Sequence, residues 1–349
     1  MFACLDFQDD TPINKMNNST LTPTVSERNI TDGDHPRNAQ LTFIITFIIA
    51  IVFCLIGLVG NIIVLRYLCF KIKKNKYTIY IINLSVADFI YLIFTIPVLI
   101  LFINSLKNPN PRFKEKDSVY LFFEILCDSG QYSGMFILTA ISLERCLSVL
   151  FPLWYQCHRP QNLSTITCAA VWLIGFTESL IKNLVCTKKA FVESTTQCTA
   201  VQIIVFGLSI VICLPFMVIS SLTLLIKIKR TFGKRYPQKL YIIILTAVFV
   251  FIISVIPINF VWFLMYFHLL QSDISAMGLF CASTFCLVLN CTIDPYIYFI
   301  VGKKWKQKTS HSIQDALQRA FRTEDDENDD SSSNKTSNTS NQTNLASTF

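Results

Sequence analysis

Seven long apolar stretches alternate with short polar stretches along this chain of 349 residues. The stretches cover residues 41–65, 78–103, 119–149, 163–185, 199–227, 237–267 and 275–302. Each reaches the length of roughly 20 residues that a helix needs to cross a bilayer. Because lipid offers the backbone no hydrogen-bond partner, each stretch is predicted to be helical. The pattern therefore predicts an all-α membrane protein, a bundle of seven transmembrane helices over residues 41–302.

Composition excludes a soluble globular protein. Only 15% of the residues are charged and the mean hydropathy is +0.48, unlike a soluble domain. Residues 1–40 are polar and lack a charged start followed by an apolar run, so we expect no removable signal peptide. The net charge of +7 fits attraction to the anionic inner membrane surface, and we expect no nucleic-acid partner.

The basic residues predict how the chain is oriented. The loops and tail on one side of the spans carry 19 Lys and Arg residues, and those on the other side carry 10. Because the more basic side stays in the cytoplasm, residues 1–40 are predicted to be an extracellular tail and the C-terminus to be cytoplasmic. N-glycosylation sequences begin at Asn17, Asn18 and Asn29 in that outer tail, where they are accessible to modification.

Two segments follow the seventh span. In residues 303–322, apolar side chains such as Trp305, Leu317 and Phe321 recur at helical spacing with lysines elsewhere. This predicts a short amphipathic helix on the inner membrane surface, in contact with anionic lipid. Residues 323–349 are acidic and then rich in Ser, Thr and Asn, so they are predicted to be a disordered cytoplasmic tail.

The end of the third span carries the most specific motif. An arginine is costly inside hydrocarbon, so Arg145 must lie where the helix leaves the membrane, and the neighbouring Glu144 would supply a counter-charge. Glu144-Arg145-Cys146 runs into Phe-Pro-x-Trp-Tyr-x-Cys-His-Arg-Pro at residues 151–160. This string closely resembles the corresponding region of the Mas-related G-protein-coupled receptors, which are rhodopsin-like (class A) seven-helix receptors. The resemblance extends over roughly residues 41–322.

The resemblance implies a plasma-membrane receptor. Such a receptor binds an extracellular peptide or small-molecule ligand and activates a heterotrimeric G protein, of the Gq type or alternatively Gi. Arrestin and receptor kinases are further expected partners, with candidate phosphorylation sites at residues 331–333. A secondary transporter is the alternative, but no internal repeat is evident. Enzyme motifs such as Gly-x-Ser-x-Gly are absent from the sequence, so we expect no enzyme.

The resemblance also assigns a switch and a polar cluster within the spans. The G-protein switch would comprise Glu144, Arg145, Pro257, Asp294, Pro295 and Tyr298. Pro257 would kink the sixth span, because proline removes a backbone donor. The polar cluster would comprise Asn61, Asp88, Asn290 and Asp294. Many such receptors hold an allosteric sodium ion there, and we expect no other cofactor or metal. A hydrogen-bonded packing cluster around Asp88 is the alternative, since Gly134 replaces a frequent serine ligand.

Thirteen cysteines raise the question of disulfides. Rhodopsin-like receptors generally bridge the outer end of the third helix, but Tyr120 occupies that position. The resemblance implies instead a bridge between Cys186 and Cys198, which would join the fourth and fifth spans. A bridge closing so short a loop contributes about 3 kcal/mol. Two free thiols are the alternative.

Ligand selection is predicted to differ from that of relatives that accept cations. Those relatives carry an acid at each of the positions of Lys182 and Gln202. The cation subsite is therefore altered, and we hypothesise an anionic or weakly charged ligand. Three alternatives for Lys182 stay open: it faces the ligand, it reaches out to the membrane surface, or it pairs with Asp128. Other candidate ligand residues are Cys127, Asp128, Gln131, Trp262, Phe263 and Tyr266.

Overall fold

The computed structural model describes residues 34–72, 75–107, 117–186, 195–230, 238–267, 276–302 and residue 317. These residues form helices and short connections. The helices are α1 (Asp34–Phe70), α2 (Lys76–Lys107), α3 (Asp117–Leu150), α4 (Pro152–Cys157), α5 (Leu163–Val185), α6 (Thr196–Phe206), α7 (Leu214–Arg230), α8 (Gln238–Tyr266) and α9 (Ala276–Gly302). A π-helical segment, Gly207–Cys213, joins α6 to α7.

Seven helical stretches are long and apolar enough to cross a membrane. They are the first span (α1), the second (α2), the third (α3), the fourth (α5), the fifth (α6, the π segment and α7), the sixth (α8) and the seventh (α9). The predicted all-α fold with seven spans is confirmed. The fourth span has the predicted bounds, whereas the first begins at Asp34, inside the predicted tail.

Three features differ from the sequence prediction or lie beyond it. The six-residue helix α4 between the third and fourth spans was not predicted, because about one and a half turns are too short for a helical spacing of apolar residues to be recognised. The π segment was not predicted either. The sequons at Asn17, Asn18 and Asn29 and the tail 323–349 lie outside the described residues. Of segment 303–322 the structure describes Leu317, which is buried in the main apolar core.

The third span is the central element of the bundle. It packs against the second, fourth, fifth and sixth spans. Glycines permit the closest approaches: a Cβ on Gly175 of the fourth span would lie 2.8 Å from the backbone nitrogen of Ser133. A Cβ on Gly130 would lie 2.8 Å from the carbonyl oxygen of Ala87. Small residues of this kind allow membrane helices to pack closely, since van der Waals contact replaces the hydrophobic effect between helices.

The close approach at Gly175 predicts a stability difference between two glycine substitutions. Gly175→Ala forces the third and fourth spans apart, at a cost of about 1–3 kcal/mol. Gly207→Ala is the matched control, because a Cβ there meets nothing within 4 Å. The check is the melting temperature in detergent, followed with a thiol-reactive dye that reports exposure of buried cysteines such as Cys168. Equal melting temperatures for the two variants would contradict the packing.

Candidate functional site

Polar side chains concentrate at three levels of the bundle. We call the end that carries the Cys186–Cys198 bridge the disulfide end, and the end that carries the third-span motif the Glu144 end. Between them lies the polar cluster formed by Asn61, Asp88, Asn290 and Asp294. Asp128 and Glu144 of the two end levels lie on the third span, whereas the residues of the middle cluster lie on the first, second and seventh spans.

The disulfide end is tied together by the predicted bridge. Cys186 at the end of the fourth span is bonded to Cys198 in the first turns of the fifth, with 4.8 Å between their Cα atoms. Thr195 caps the fifth span, its hydroxyl accepting a hydrogen bond from the Cys198 N–H, as N-cap residues commonly do. The bridge therefore holds two helix ends together, and the predicted pairing is confirmed.

Asp128 and Lys182 form an ion pair beside this bridge. The Lys182 ammonium donates to Oδ2 of Asp128 at 3.0 Å, and the Asn183 amide donates to the same oxygen at 2.9 Å. The Lys182 ammonium also lies 5.3 Å from the centre of the Tyr132 ring. Of the three alternatives for Lys182, the structure has the pair with Asp128. Two opposite charges at this distance largely neutralise one another, so neither is an isolated charge.

The three candidate aromatic residues of the sixth span contact two different neighbouring spans. Phe263 stacks on Phe206 of the fifth span with 3.8 Å between ring centres, and the Tyr266 hydroxyl lies 3.0 Å from that of Thr199. Trp262 faces the other way, and its indole N–H donates to Ser283 of the seventh span at 3.3 Å. The sixth span thus uses adjacent aromatics to contact different helices.

Cys127, Gln131 and Gln202, three other predicted ligand residues, have different surroundings. The Cys127 sulfur packs against the second span, 3.7 Å from the Thr95 hydroxyl. Gln131 is half-buried one turn below Cys127. The Gln202 amide lies 3.8 Å from the Cys186 sulfur of the bridge. Cys127 contacts a helix neighbour rather than Asp128.

Sequence reasoning missed Glu178, one turn before Lys182 on the fourth span. Its side chain is buried, and neither carboxylate oxygen has a hydrogen-bond partner within the part of the chain that is described. A signal was present in the sequence: an acid within a span is costly and commonly functional, and Glu178 is the only acid between residues 163 and 185.

The middle polar cluster brings together the residues that the sequence predicted. The Asn61 amide donates to the carbonyl of Cys291 in the seventh span at 3.1 Å. Asp88 and Asp294 are neighbours and are almost fully buried, as is Asn290. Oxygens of both aspartates and of Asn290 have no hydrogen-bond partner among the described residues. The arrangement is a set of buried oxygens of the kind that a hard cation prefers.

At the Glu144 end, the acid of the motif pairs with a loop residue. Arg159 donates from Nε and Nη2 to Oε1 of Glu144, at 2.8 and 2.5 Å. The Tyr155 hydroxyl donates to the same oxygen at 2.6 Å and lies 3.0 Å from the Tyr77 hydroxyl. The side chains of Arg159 and Glu144 are only 6% and 7% exposed. The connection between the third and fourth spans is thereby fixed to the third span.

The expectation that Glu144 supplies the counter-charge of Arg145 is therefore corrected. Glu144 directs its carboxylate to Arg159, while the Arg145 guanidinium carbon lies 3.1 Å from the centre of the Tyr77 ring, a cation–π geometry. Adjacent residues on a helix point about 100° apart, so Glu144 and Arg145 face different neighbours. Sequence adjacency did not reveal this division.

The electrostatics of the Glu144 end favour the bonded arrangement. Burial, together with Tyr77 and the Glu144 carboxylate, raises the pKa of the Tyr155 phenol well above its ordinary value. Tyr155 therefore stays protonated and donates. Burial alone would lower the pKa of Arg159, but the Glu144 carboxylate outweighs it and raises that pKa, so Arg159 stays charged.

Comparison of the sequence with known proteins shows the family to which the chain belongs. The family model of the seven transmembrane receptors (rhodopsin family) matches residues 60–298. Mas-related G-protein coupled receptor member D of Macaca fascicularis is 33% identical over 274 residues, which cover 78% of this chain and 83% of the relative. The human Proto-oncogene Mas is 33% identical over 273 residues, covering 77% and 81%. Mouse Mas-related receptor member A8 is 34% identical over 283 residues, covering 79% and 89%.

The chain belongs to the Mas-related receptors of the rhodopsin family. It is therefore a multi-pass membrane receptor and not an enzyme. Membership of the seven transmembrane receptor family agrees with the seven membrane-capable helices of the structure. Within the described residues no group of three or more His, Cys, Asp or Glu side chains is placed to hold a metal ion.

The buried Glu144–Arg159 pair predicts a large effect for a loop substitution. Arg159→Ala leaves the Glu144 carboxylate buried without its cation, which costs about 3–5 kcal/mol. Adding Glu144→Gln to that variant removes the uncompensated charge and should restore much of the loss. Thermal unfolding of the single and double variants measures both effects. Arg66→Ala, at an exposed cation of the first span, is the control; an equal loss there would refute the role of burial.

Proposed function

We propose that the disulfide end of this Mas-related receptor faces the outside of the cell, and that an extracellular peptide or small molecule binds there. The excess of basic residues on the opposite side supports this orientation. A disulfide also forms and persists in the oxidising extracellular environment. The N-terminus, with its sequons at Asn17, Asn18 and Asn29, would then be extracellular and the C-terminus cytoplasmic.

The ligand is proposed to carry little net charge or to be anionic. The single observation behind this proposal is the Asp128–Lys182 pair at 3.0 Å. The Lys182 side chain is 27% exposed, so a ligand can contact its ammonium, whereas Asp128 is largely buried beneath it at 10%. A cationic ligand gains little where Lys182 already neutralises Asp128. An anionic ligand has to share the Lys182 ammonium with Asp128. A weakly charged ligand can interact with the dipole that the two paired charges form.

The Glu144 end is proposed to bind the G protein, of the Gq type with Gi as the alternative. The helix α4 presents Leu153, which is 78% exposed, and Trp154, and the exposed Phe151 precedes it at the N-cap. A contiguous exposed apolar patch marks a partner-binding surface. The patch lies on the connection between the third and fourth spans. Arg159 and Tyr155 bind this connection to Glu144, the residue before Arg145. A G protein that contacts α4 would therefore also act on the switch motif.

The remaining switch residues are proposed to take part in the change from the resting to the active receptor. Pro257 lies within the sixth span and Pro295 within the seventh, and Tyr298 is buried in the main core. We propose that the sixth span moves about Pro257 when ligand binds. Arrestin and receptor kinases are proposed to act on the tail 323–349, and segment 303–322 to lie on inner-leaflet lipid.

A sodium ion is proposed to stabilise the resting receptor at the middle polar cluster. The residues fit such an ion, because Asp88, Asn290 and Asp294 offer buried oxygens that have no hydrogen-bond partner among the described residues. A cation would offset the cost of two neighbouring buried carboxylates. The ion would be held by Asp88 and the two seventh-span residues, and it would tie the second and seventh spans together.

The sodium proposal predicts a salt-specific stability gain. Replacing N-methylglucamine chloride by sodium chloride at constant ionic strength should raise the melting temperature of the wild type. At sodium concentrations about five times the Kd the gain is about 1 kcal/mol. Asp88→Asn and Asn290→Ala should each weaken the response. A response in both variants equal to that of the wild type would rule out these ligands.

The ligand proposal is tested by removing the two charges of the disulfide end separately and together. Asp128→Asn leaves Lys182 without its carboxylate, so responses to small carboxylates should rise by about tenfold or more. Lys182→Gln should raise responses to amines in the same way. The double variant should return to the preference of the wild type. Inositol-phosphate accumulation in cells challenged with neutral, anionic and cationic panels measures all four receptors.

Two controls accompany this test. Lys71→Gln removes an exposed cation at the Glu144 end and should leave ligand preference unchanged. Two further assays separate a receptor from a transporter. A receptor in nanodiscs should accelerate nucleotide exchange on purified G protein, and the same protein in liposomes should give no solute flux. An identical ligand preference in all four receptors would place the ion pair outside the ligand site.

A further inference from the structure

A second candidate site lies between the fourth and fifth spans. A cavity of about 350 Å³ is lined there by seven aliphatic side chains, by Thr177 and by Glu178. Its volume falls within the range of small-molecule sites, roughly 300–1,000 Å³. The Asp128–Lys182 pair is not part of its lining. The cavity is therefore distinct from the ligand site proposed above.

The cavity opens on the lipid-facing surface of the bundle. Leu173 of the fourth span is 71% exposed and Ile204 of the fifth span is 59% exposed, and both line the cavity. In a seven-span bundle, such exposed aliphatic side chains at mid-helix contact hydrocarbon. A ligand of this cavity would consequently enter from the bilayer, and most of its contacts would be apolar.

Glu178 gives the cavity one specific chemical feature. Its side chain is 7% exposed, and neither carboxylate oxygen has a hydrogen-bond partner within the described chain. Lys182 lies one turn further along the same helix, but its ammonium is bonded to Asp128 at 3.0 Å. The nearest cation on this helix is thus already engaged, and the Glu178 carboxyl remains available to a ligand.

The chemistry of an isolated carboxyl group selects the occupant. A carboxylate in an apolar environment carries a large desolvation cost unless a cation pairs with it. A primary ammonium supplies both the charge and up to three donors, enough for both oxygens. A hydroxyl group supplies one donor and no charge, so it compensates less. The aliphatic lining requires that the rest of the occupant be apolar.

We propose that the groove between the fourth and fifth spans binds a membrane-dissolved lipophilic amine, with the ammonium on Glu178 and the alkyl part along Leu173, Ile181 and Ile204. Proton transfer from the carboxyl group to a neutral amine entering from the lipid would give the same ion pair. Because the π segment contributes Leu208 to the lining, an occupant also contacts the irregular part of the fifth span. The site does not depend on the receptor's extracellular ligand or on G-protein coupling.

The test is photolabelling of the full-length receptor in phosphatidylcholine nanodiscs. The probe is a dodecylamine that carries a diazirine on its alkyl chain, and the matched probe is the corresponding alcohol. Labelled peptides are quantified by mass spectrometry, so that no signalling readout is involved. The amine is expected to label the facing segments that contain Leu173 and Ile204, and to label them more strongly than the alcohol does.

Three variants separate the contributions. Glu178→Gln keeps the shape but loses the charge, so amine labelling should fall by about tenfold, as for loss of a charge-assisted hydrogen bond. Thr177→Val is the matched control within the same lining, and its labelling should equal that of the wild type. Ile204→Trp fills the groove from its lipid-facing side and should reduce labelling by both probes.

Three results would overturn the proposal. Equal labelling of wild type and Glu178→Gln by the amine would show that the groove takes amphiphiles without regard to charge. Absence of labelling in the groove would show that no such ligand binds. Disulfide crosslinking between receptor copies of a Leu173→Cys variant under mild oxidation, together with absence of probe labelling in the wild type, would show that the groove is covered by a second copy of the chain.

Discussion

Hydrocarbon offers no partner to a buried polar group, and two acids of the third span are paired with cations accordingly. Asp128 pairs with Lys182 and Glu144 pairs with Arg159, so that the acids near either end of the third span lie against cations from the fourth span and from the connection before it. The carboxyl groups of Asp88 and Asp294 gather at the middle of the bundle. Because an unpaired charge in lipid costs several kcal/mol, these pairings constrain which helix faces can meet.

The third span connects the two ends of the receptor. Asp128 and Glu144 are separated by 16 residues on one continuous helix, about 24 Å at 1.5 Å per residue. Close packing against Gly175 fixes this helix to the fourth span near its middle. The Asp128–Lys182 pair and the Glu144–Arg159 pair are therefore both held on one continuous helix.

Much of the fold followed from hydropathy, but the partners of individual side chains did not. Long apolar runs need no knowledge of neighbours, and the fourth span was predicted to the residue. The π segment and the six-residue helix α4 were missed, because neither changes the hydrophobic pattern enough to be recognised. Family resemblance located Cys186 and Cys198 correctly. From sequence adjacency, Glu144 was expected to pair with Arg145, but its carboxylate pairs with Arg159. That pairing depends on how the loop after the third span returns to the bundle, which the sequence does not reveal. Glu178 was overlooked although its charge marks it.

The π segment Gly207–Cys213 affects how positions on the fifth span correspond to those of other receptors. Its hydrogen bonds reach five residues back, as from the Leu214 N–H to the Ser209 carbonyl, so this turn holds one residue more than an α-helical turn. In a relative whose fifth span is α-helical throughout, an alignment without a gap matches residues correctly before Gly207. Beyond Cys213 it pairs side chains that point about 100° apart. Gln202 can therefore be compared directly, whereas the residues of α7 need a one-residue gap.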